Sequence, residues 1–375
     1  MIFTRLNVYL LLLVFLLTPS SLLAQVPHND YQGTWHGQVK DILSEEMQEI
    51  PGTDTDHLFQ TIRAEVLNGP LEGEIITIEN DYLKLDKGDK FYFNHNIYFD
   101  GTESYGIINI DRIGALVVLV LIFMAAVIAF GGKQGVRSLL ALGGSFFAIF
   151  YILIPGILNG WSPLFASIVV ASGILFAAIF FTHGFNRESL VAYSGTMVAV
   201  VLTGLFATFA VFFTDLSGFT DDASTYLNFN TRGALDFTSL LLGAIIIGVL
   251  GVLDDIAVTQ AAVVTELYNS NPNLQPREVY KKAIRIGREH VSALVNTLVL
   301  AYTGAALPVL LHFYVSASSF TMAVNTEMFA TEIVRSIVGS IGLILAVPIV
   351  TILAVLYLKD YKPTHPHTHS HGHSH

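Results

Sequence analysis

The chain has 375 residues, of which 53% are hydrophobic and only 13% charged, against roughly 25% charged in a typical soluble domain. That balance excludes an ordinary soluble enzyme and expects most of the surface to meet lipid. The net charge of −11 carries little meaning as a total, because the charges are segregated by loop, and the absence of cysteine excludes disulfides, thiolate metal sites and cysteine nucleophiles.

Residues 1–24 carry Arg5, an apolar run from Leu6 to Leu17 and a small-residue end at Ala24. This is the pattern of a secretory signal peptide or of an uncleaved first transmembrane helix, and either one exports the adjoining polar segment. Residues 25–112 form that long polar stretch. Thr61–Leu67 and Glu74–Glu79 mix alternation with β-branched residues, and Asn68-Gly-Pro and Lys87-Gly-Asp are turn signals. Lys84–Phe93 reads as strand, turn, strand. The expectation is a small extracytoplasmic β-barrel or sandwich, serving as a cap or as a binding domain. Its histidines (His28, His36, His57, His95) show no metal spacing.

Seven apolar segments come next, near 113–130, 136–154, 162–181, 190–213, 239–266, 290–315 and 333–358, each long enough to cross hydrocarbon. The expected fold class is therefore an α-helical polytopic membrane protein with seven or eight transmembrane helices, seven of them in a domain spanning 113–358. Basic residues alternate between the connections. Lys133, Arg137, Arg187, the cluster Arg277, Lys281, Lys282, Arg285 and Arg288, and the tail residues Lys359 and Lys362 fall in alternate loops; the other loops hold Arg232 alone. By the positive-inside rule the basic loops and the tail are cytoplasmic. The N-terminal signal independently places 25–112 outside. Asn271–Arg288 reads as a turn followed by an amphipathic basic helix on the cytoplasmic face, near anionic lipid or simply anchoring topology.

Asp254 and Asp255 sit side by side within the 239–266 span. A carboxylate at the bilayer centre costs about 2.5–3.5 kcal/mol on the insertion scale. Ala244, Gly248, Gly251, Asp255, Thr259, Ala262 and Glu266 form one helical stripe of small and polar residues, which lets membrane helices approach closely. Asp255 is thus expected to face other helices, with Asp254 rotated about 100° from it. Adjacent carboxylates in a dry site repel, and burial disfavours charge, which suits a group that takes up and releases a proton near neutrality. The alternatives are that the doublet caps a broken helix or pairs with Arg335. In the next span Asn296 is either glue between helices or part of a path beside the aspartates, and His290 is expected at the cytoplasmic end among headgroups. Glu332 and Arg335, one turn apart at the outer end of the last span, are spaced for a mutual salt bridge. Pro308 and Pro348 can free backbone carbonyls in the membrane.

The C-terminal 359–375 is a cytoplasmic low-complexity tail in which His365, His367, His369, His371, His373 and His375 alternate with other residues. Such imidazoles bind zinc, nickel, cobalt or copper with little selectivity; the alternative is a solvated segment without a metal role. The chain holds no P-loop, serine-hydrolase elbow or His-Glu-x-x-His motif, so it is read as no enzyme and not as an ATP-driven pump by itself. No nucleic-acid partner is expected.

Gly251-Val-Leu-Asp-Asp-Ile-Ala-Val-Thr-Gln-Ala-Ala, Arg288-Glu-His, Val295–Pro308 and Glu332-Ile-Val-Arg-Ser-Ile-Val-Gly-Ser-Ile-Gly resemble the YibE/F family of bacterial multi-pass membrane proteins, a resemblance that implies class and not chemistry. Gly251–Val258 with Gln275–Ala283 is also similar to the Asp-Asp span and adjoining loop of resistance-nodulation-division exporters, and to the aspartate span of the SecD/SecF subunits. That second resemblance implies a proton-relay role for Asp254 and Asp255. This chain has one copy of the motif, two extra spans and no lysine within a span; a homodimer or a partner membrane subunit would supply a second half. The functional expectation is a secondary, proton-coupled transporter or permease with Asp254, Asp255, Thr259, Asn296, Glu332 and Arg335 on the ion path. The rivals are a membrane assembly or export-helper subunit, and a non-transporting scaffold or sensor with a metal-binding tail.

Overall fold

The computed structural model describes residues 31–49, 56–81, 83–98, 101–315 and 319–359. The signal segment 1–24 and the histidines 365–375 lie outside the described residues. The described residues divide into two compact units, one up to residue 129 and one from residue 130 onward.

The first unit holds one five-stranded antiparallel sheet, β1 Tyr31–Glu49, β2 Asp56–Val66, β3 Ile75–Asn80, β4 Lys90–Ile97 and β5 Glu103–Ile110. Its order is β3-β2-β1-β4-β5. It is a single curled half-barrel, not a two-sheet sandwich. Strand β1 is long enough to pair with β4 through residues 31–38 and with β2 through residues 37–49. Register shifts at Val39/Asp41 and Ile42/Ser44 bend it, as bulges do. Alternate residues point inward, so Val39, Ile62, Ala64, Val66, Ile78, Phe91 and Phe93 form a dry core closed by Leu85. Lys84–Asp86, expected in a strand, is irregular. Its backbone is held instead by buried Gln60, which accepts from Leu85 N at 2.9 Å and donates to Leu85 O at 3.0 Å.

The described residues then form eleven helical pieces: α1 Ile113–Ala148, a π-helical turn Ile149–Leu153, α2 Ile154–Leu158, α3 Pro163–His183, α4 Arg187–Phe213, α5 Asp222–Asn230, α6 Phe237–Ser270, α7 Pro276–Ala305, α8 Leu307–Val315, α9 Phe320–Val324 and α10 Glu327–Tyr357. Five helices are long and apolar enough to cross a membrane, and six if α7 and α8, bent by 56° at their junction, count as one span. The seven expected segments become fewer because the first two merge into one helical run, Ile113–Leu158, of 46 residues. Its 46 residues are about twice the roughly 20 that one crossing needs. Its break lies at Gly132, at φ 54° and ψ −130°, a conformation costly for a residue with a Cβ. The basic 276–289 segment and the adjoining span are likewise one continuous helix, α7. Pro308 falls just after the bend, and Pro348 lies inside α10.

Helix α6 is central to the second unit and packs on α3, α4, α7 and α10. Its buried face is made of bulky aliphatics, Ile245, Ile246, Val249, Leu253 and Ile256, which mesh with α3, α4, α7 and α10. At one end of the bundle Glu327 ties α10 to the α4–α5 loop. Its carboxylate accepts from Ser217 N at 2.7 Å, Gly218 N at 2.6 Å and Ser217 Oγ at 2.8 Å.

Candidate functional site

Helix α6 starts at a capped end, where Asp236 accepts from Ser239 N at 3.1 Å, and runs unbroken through Asp254 and Asp255. The doublet therefore caps no helix break. Neither aspartate pairs with Arg335, whose Nη1 donates to Glu332 at 2.6 Å. The guanidinium also lies 5.8 Å from the centroid of the Tyr302 ring.

The two carboxylates face different neighbours. Asp254 is half-buried, and its Oδ1 is fully buried without a hydrogen-bond partner. It lines a cleft of about 380 Å³ between α1, α3 and α6. The polar groups there are Ser138 and Ser145 of α1 and Thr182 and His183 at the end of α3. Ser145 Oγ donates to Ala141 O at 2.9 Å, which leaves its oxygen free to accept. A buried carboxylate oxygen without a partner is costly wherever it sits.

Asp255 points away from that cleft. Its side chain is 59% exposed and its Oδ2 lies 3.7 Å from His290 Nε2 on α7. This is ion-pair range but too long for a hydrogen bond, and His290 Nε2 has no other partner. Asp255 thus faces another helix, α7, as expected from the stripe, but across an exposed surface and not within a tightly packed one. Ala244, Gly248, Gly251, Asp255 and Glu266 of the small-residue stripe are exposed, and Thr259 and Ala262 are half-buried. In lipid no hydrophobic force sorts small from large residues. Van der Waals packing decides the buried face, and the branched aliphatics supply more of it. His290 is not a loop residue; it sits inside α7, opposite Asp255.

The six site residues expected on one path fall into two groups. Asp254 and Asp255 gather His183 and His290, and Glu332 and Arg335 gather Tyr302. Asn296 is exposed on α7 between the two groups in sequence, and Thr259 lies one turn beyond Asp255. Among the described residues no three His, Asp or Glu side chains come together as a metal-binding group.

Several polar residues went unmarked at the level of sequence. His183 closes an apolar span, and an ionisable residue within a span is a signal in itself. Gln260 is 2% exposed and bridges three helices, donating to Ala283 O at 2.9 Å and to Thr351 Oγ1 at 2.8 Å.

Long apolar helices around a central acidic helix define a multi-pass membrane protein. Residues 119–360 match the YibE/F-like protein family, and the chain belongs to it. The matched region starts within α1 and ends just past α10, leaving the β half-barrel outside. No curated protein and no solved structure matches the chain.

Proposed function

We propose that the chain is a secondary transporter or permease coupled to proton movement, with Asp254 as the group that takes up and releases the coupling proton. The observation carrying this reading is the buried, unpartnered Asp254 oxygen at the wall of a cleft shared by three helices, in which Ser138, Ser145, Thr182 and His183 are the other polar side chains. His183 stands in the same cleft as a proton donor or acceptor, and the Asp255–His290 pair stands on the other side of α6 as a second relay step. Two carboxylates rotated about 100° on one helix can serve two openings without moving the helix. Glu332 and Arg335 serve as an internal ion pair rather than as the path.

The proposed topology rests on the distribution of lysine and arginine. Residues 113–130 and 136–158 each cross the bilayer, with Lys133 between them and Arg137 at the start of the second, both at the cytoplasmic face, and the Gly132 break allowing the change of direction. That reading gives seven spans in 113–358 and an extracytoplasmic half-barrel. It puts the start of α6 at the outer face, and Asp254 roughly 25 Å further along at about 1.5 Å per residue. Asp254 then lies nearer the inner boundary of the hydrocarbon, at the level of His183 and His290.

Full-length protein in sealed vesicles with an interior pH-sensitive dye tests the proposal. A substrate-dependent pH change is expected from the wild type and none from Asp254→Asn at equal incorporation. Unaltered pH coupling in Asp254→Asn would reject the role of Asp254.

A further inference from the structure

The lining of the Asp254 cleft is graded along its length. On α1 it runs from Ser138 to Ile149, on α3 from His183 back to Ile174, and on α6 from Asp254 back to Ile247. Each helix thus brings a hydrophilic residue to one end and an isoleucine to the other, and the three isoleucines meet in one apolar cluster. The polar end is the mouth, since Ser138 and His183 are exposed while Ile174 and Leu175 are buried. The volume of about 380 Å³ falls within the roughly 300–1,000 Å³ of small-molecule sites, which likewise combine apolar walls with a few polar groups.

Among the described residues Asp254 is the one carboxylate of this lining, and no Lys or Arg joins it. It has no hydrogen bond or ion pair to any described residue. Its neighbours in kind are answered: Asp255 faces His290, Glu332 takes Arg335, and Glu327 takes the loop amides. A charged carboxylate among apolar walls is costly until a cation stands beside it.

We infer that the cleft takes a small amphipathic organic monocation, an ammonium with an apolar body of benzyl size, as the cargo exchanged for the coupling proton. This rests on the transport reading of Asp254 and names its cargo. The ammonium lies against Asp254, near the hydroxyls of Ser145 and Thr182, and the apolar body extends toward Ile149, Ile174 and Ile247. From Ile247 to Asp254 α6 rises roughly 10 Å at about 1.5 Å per residue, room for a headgroup and one ring but too short for an acyl chain. An inorganic cation would leave the apolar end unfilled, and an anion would meet Asp254 with like charge. A protonated, neutral Asp254 no longer attracts the ammonium, so one cation binds as one proton leaves, and the carboxyl O–H is the only bond broken.

Equilibrium dialysis of the detergent-solubilised full-length chain against radiolabelled benzyltrimethylammonium, whose charge is fixed at every pH, tests the site. Saturable binding is expected in alkaline buffer, weakening by up to about tenfold per pH unit once acid protonates Asp254, and lost at every pH in Asp254→Asn. Gly251 lines the same cleft, and a Cβ there meets nothing within 4 Å. Gly251→Leu therefore keeps Asp254 and the fold but fills the space, and is expected to weaken binding by roughly tenfold or more. Absence of saturable binding in the wild type, or undiminished binding in either variant, would overturn the site. Displacement by neopentylbenzene, the uncharged carbon analogue, as effective as by the unlabelled cation would overturn the charge assignment. Equal displacement by sodium would overturn the organic one. The vesicle assay separates this inference from the transport reading. Loss of pH coupling in Asp254→Asn without probe binding in the wild type removes the cargo alone. Probe binding that depends on Asp254, without pH coupling, keeps the site and removes the transport role.

Discussion

Asp254 and Asp255 differ by one position and by their entire surroundings. One loses solvent on an oxygen that nothing bonds, and the other faces His290 across an exposed surface. Asp254→Asn and Asp255→Asn are therefore expected to differ in kind. The first removes the carboxylate of the α1–α3–α6 cleft and should abolish pH coupling. The second leaves that cleft intact and should slow coupling, with His290→Gln giving a similar partial loss; vesicle pH-dye rates compare them. Gln260 belongs to this scale too. Its amide joins α6 to α7 and α10 in a dry interior. Gln260→Ala is expected to cost about 1 kcal/mol, between the roughly 0.6 kcal/mol average for hydrogen bonds within membranes and the 1–3 kcal/mol of a stranded buried group. The measure is the thermal midpoint of the detergent-solubilised chain. An unchanged midpoint would mean that Thr351 and the Ala283 carbonyl find other partners.

At the scale of elements, the half-barrel carries its own pH response. The Tyr105 hydroxyl donates to Glu103 at 2.5 Å and holds that carboxyl below the usual glutamate range, with His95 adding to the effect. Burial pushes the Tyr105 phenol up to about 12. Lys87 likewise holds the Asp41 carboxyl low, through a 2.8 Å hydrogen bond. A carboxyl whose folded value is depressed binds its proton more weakly folded than unfolded. Its contribution is complete above the ordinary carboxylate range and is lost as pH falls through the depressed folded value. Protection of the β1–β5 amides in the full chain, taken relative to the intrinsic exchange rate at each pH, is thus expected to fall in acid. Glu103→Gln should flatten that dependence while lowering protection at neutral pH. An acid limb equally steep in Glu103→Gln would assign it to other carboxylates.

For the whole molecule, the charge pattern and the helix lengths make one joint prediction. Single cysteines at Ser217 and Asn273, introduced into this cysteine-free chain, lie in loops at opposite ends of α6. An impermeant thiol reagent applied to intact cells should label the first and not the second. Labelling of both or neither from outside would remove the proposed topology. A cysteine at Ser138, just beyond the Gly132 break, is expected to be shielded from outside as well if residues 113–130 form a separate span.

Much of the architecture is legible in composition and period. Apolar runs of spanning length, the alternation of Lys and Arg between loops, and the strand-period pattern of β2 and β3 are local properties, and local physics is enough to read them. The Glu332–Arg335 bond is legible for the same reason, since one helical turn brings the two side chains together whatever surrounds them. The strand β1 was not legible, because its sequence is polar and its partners lie on both sides, far away in the chain. Which aspartate turns inward, the pairing of Asp255 with His290, and the gathering of Ser138, Ser145 and His183 about Asp254 were decided only by tertiary structure. Inside a bilayer, polarity no longer says which side of a helix is buried. That choice passes to the fit of side-chain volumes between helices distant in sequence, and no periodicity within a single helix encodes it.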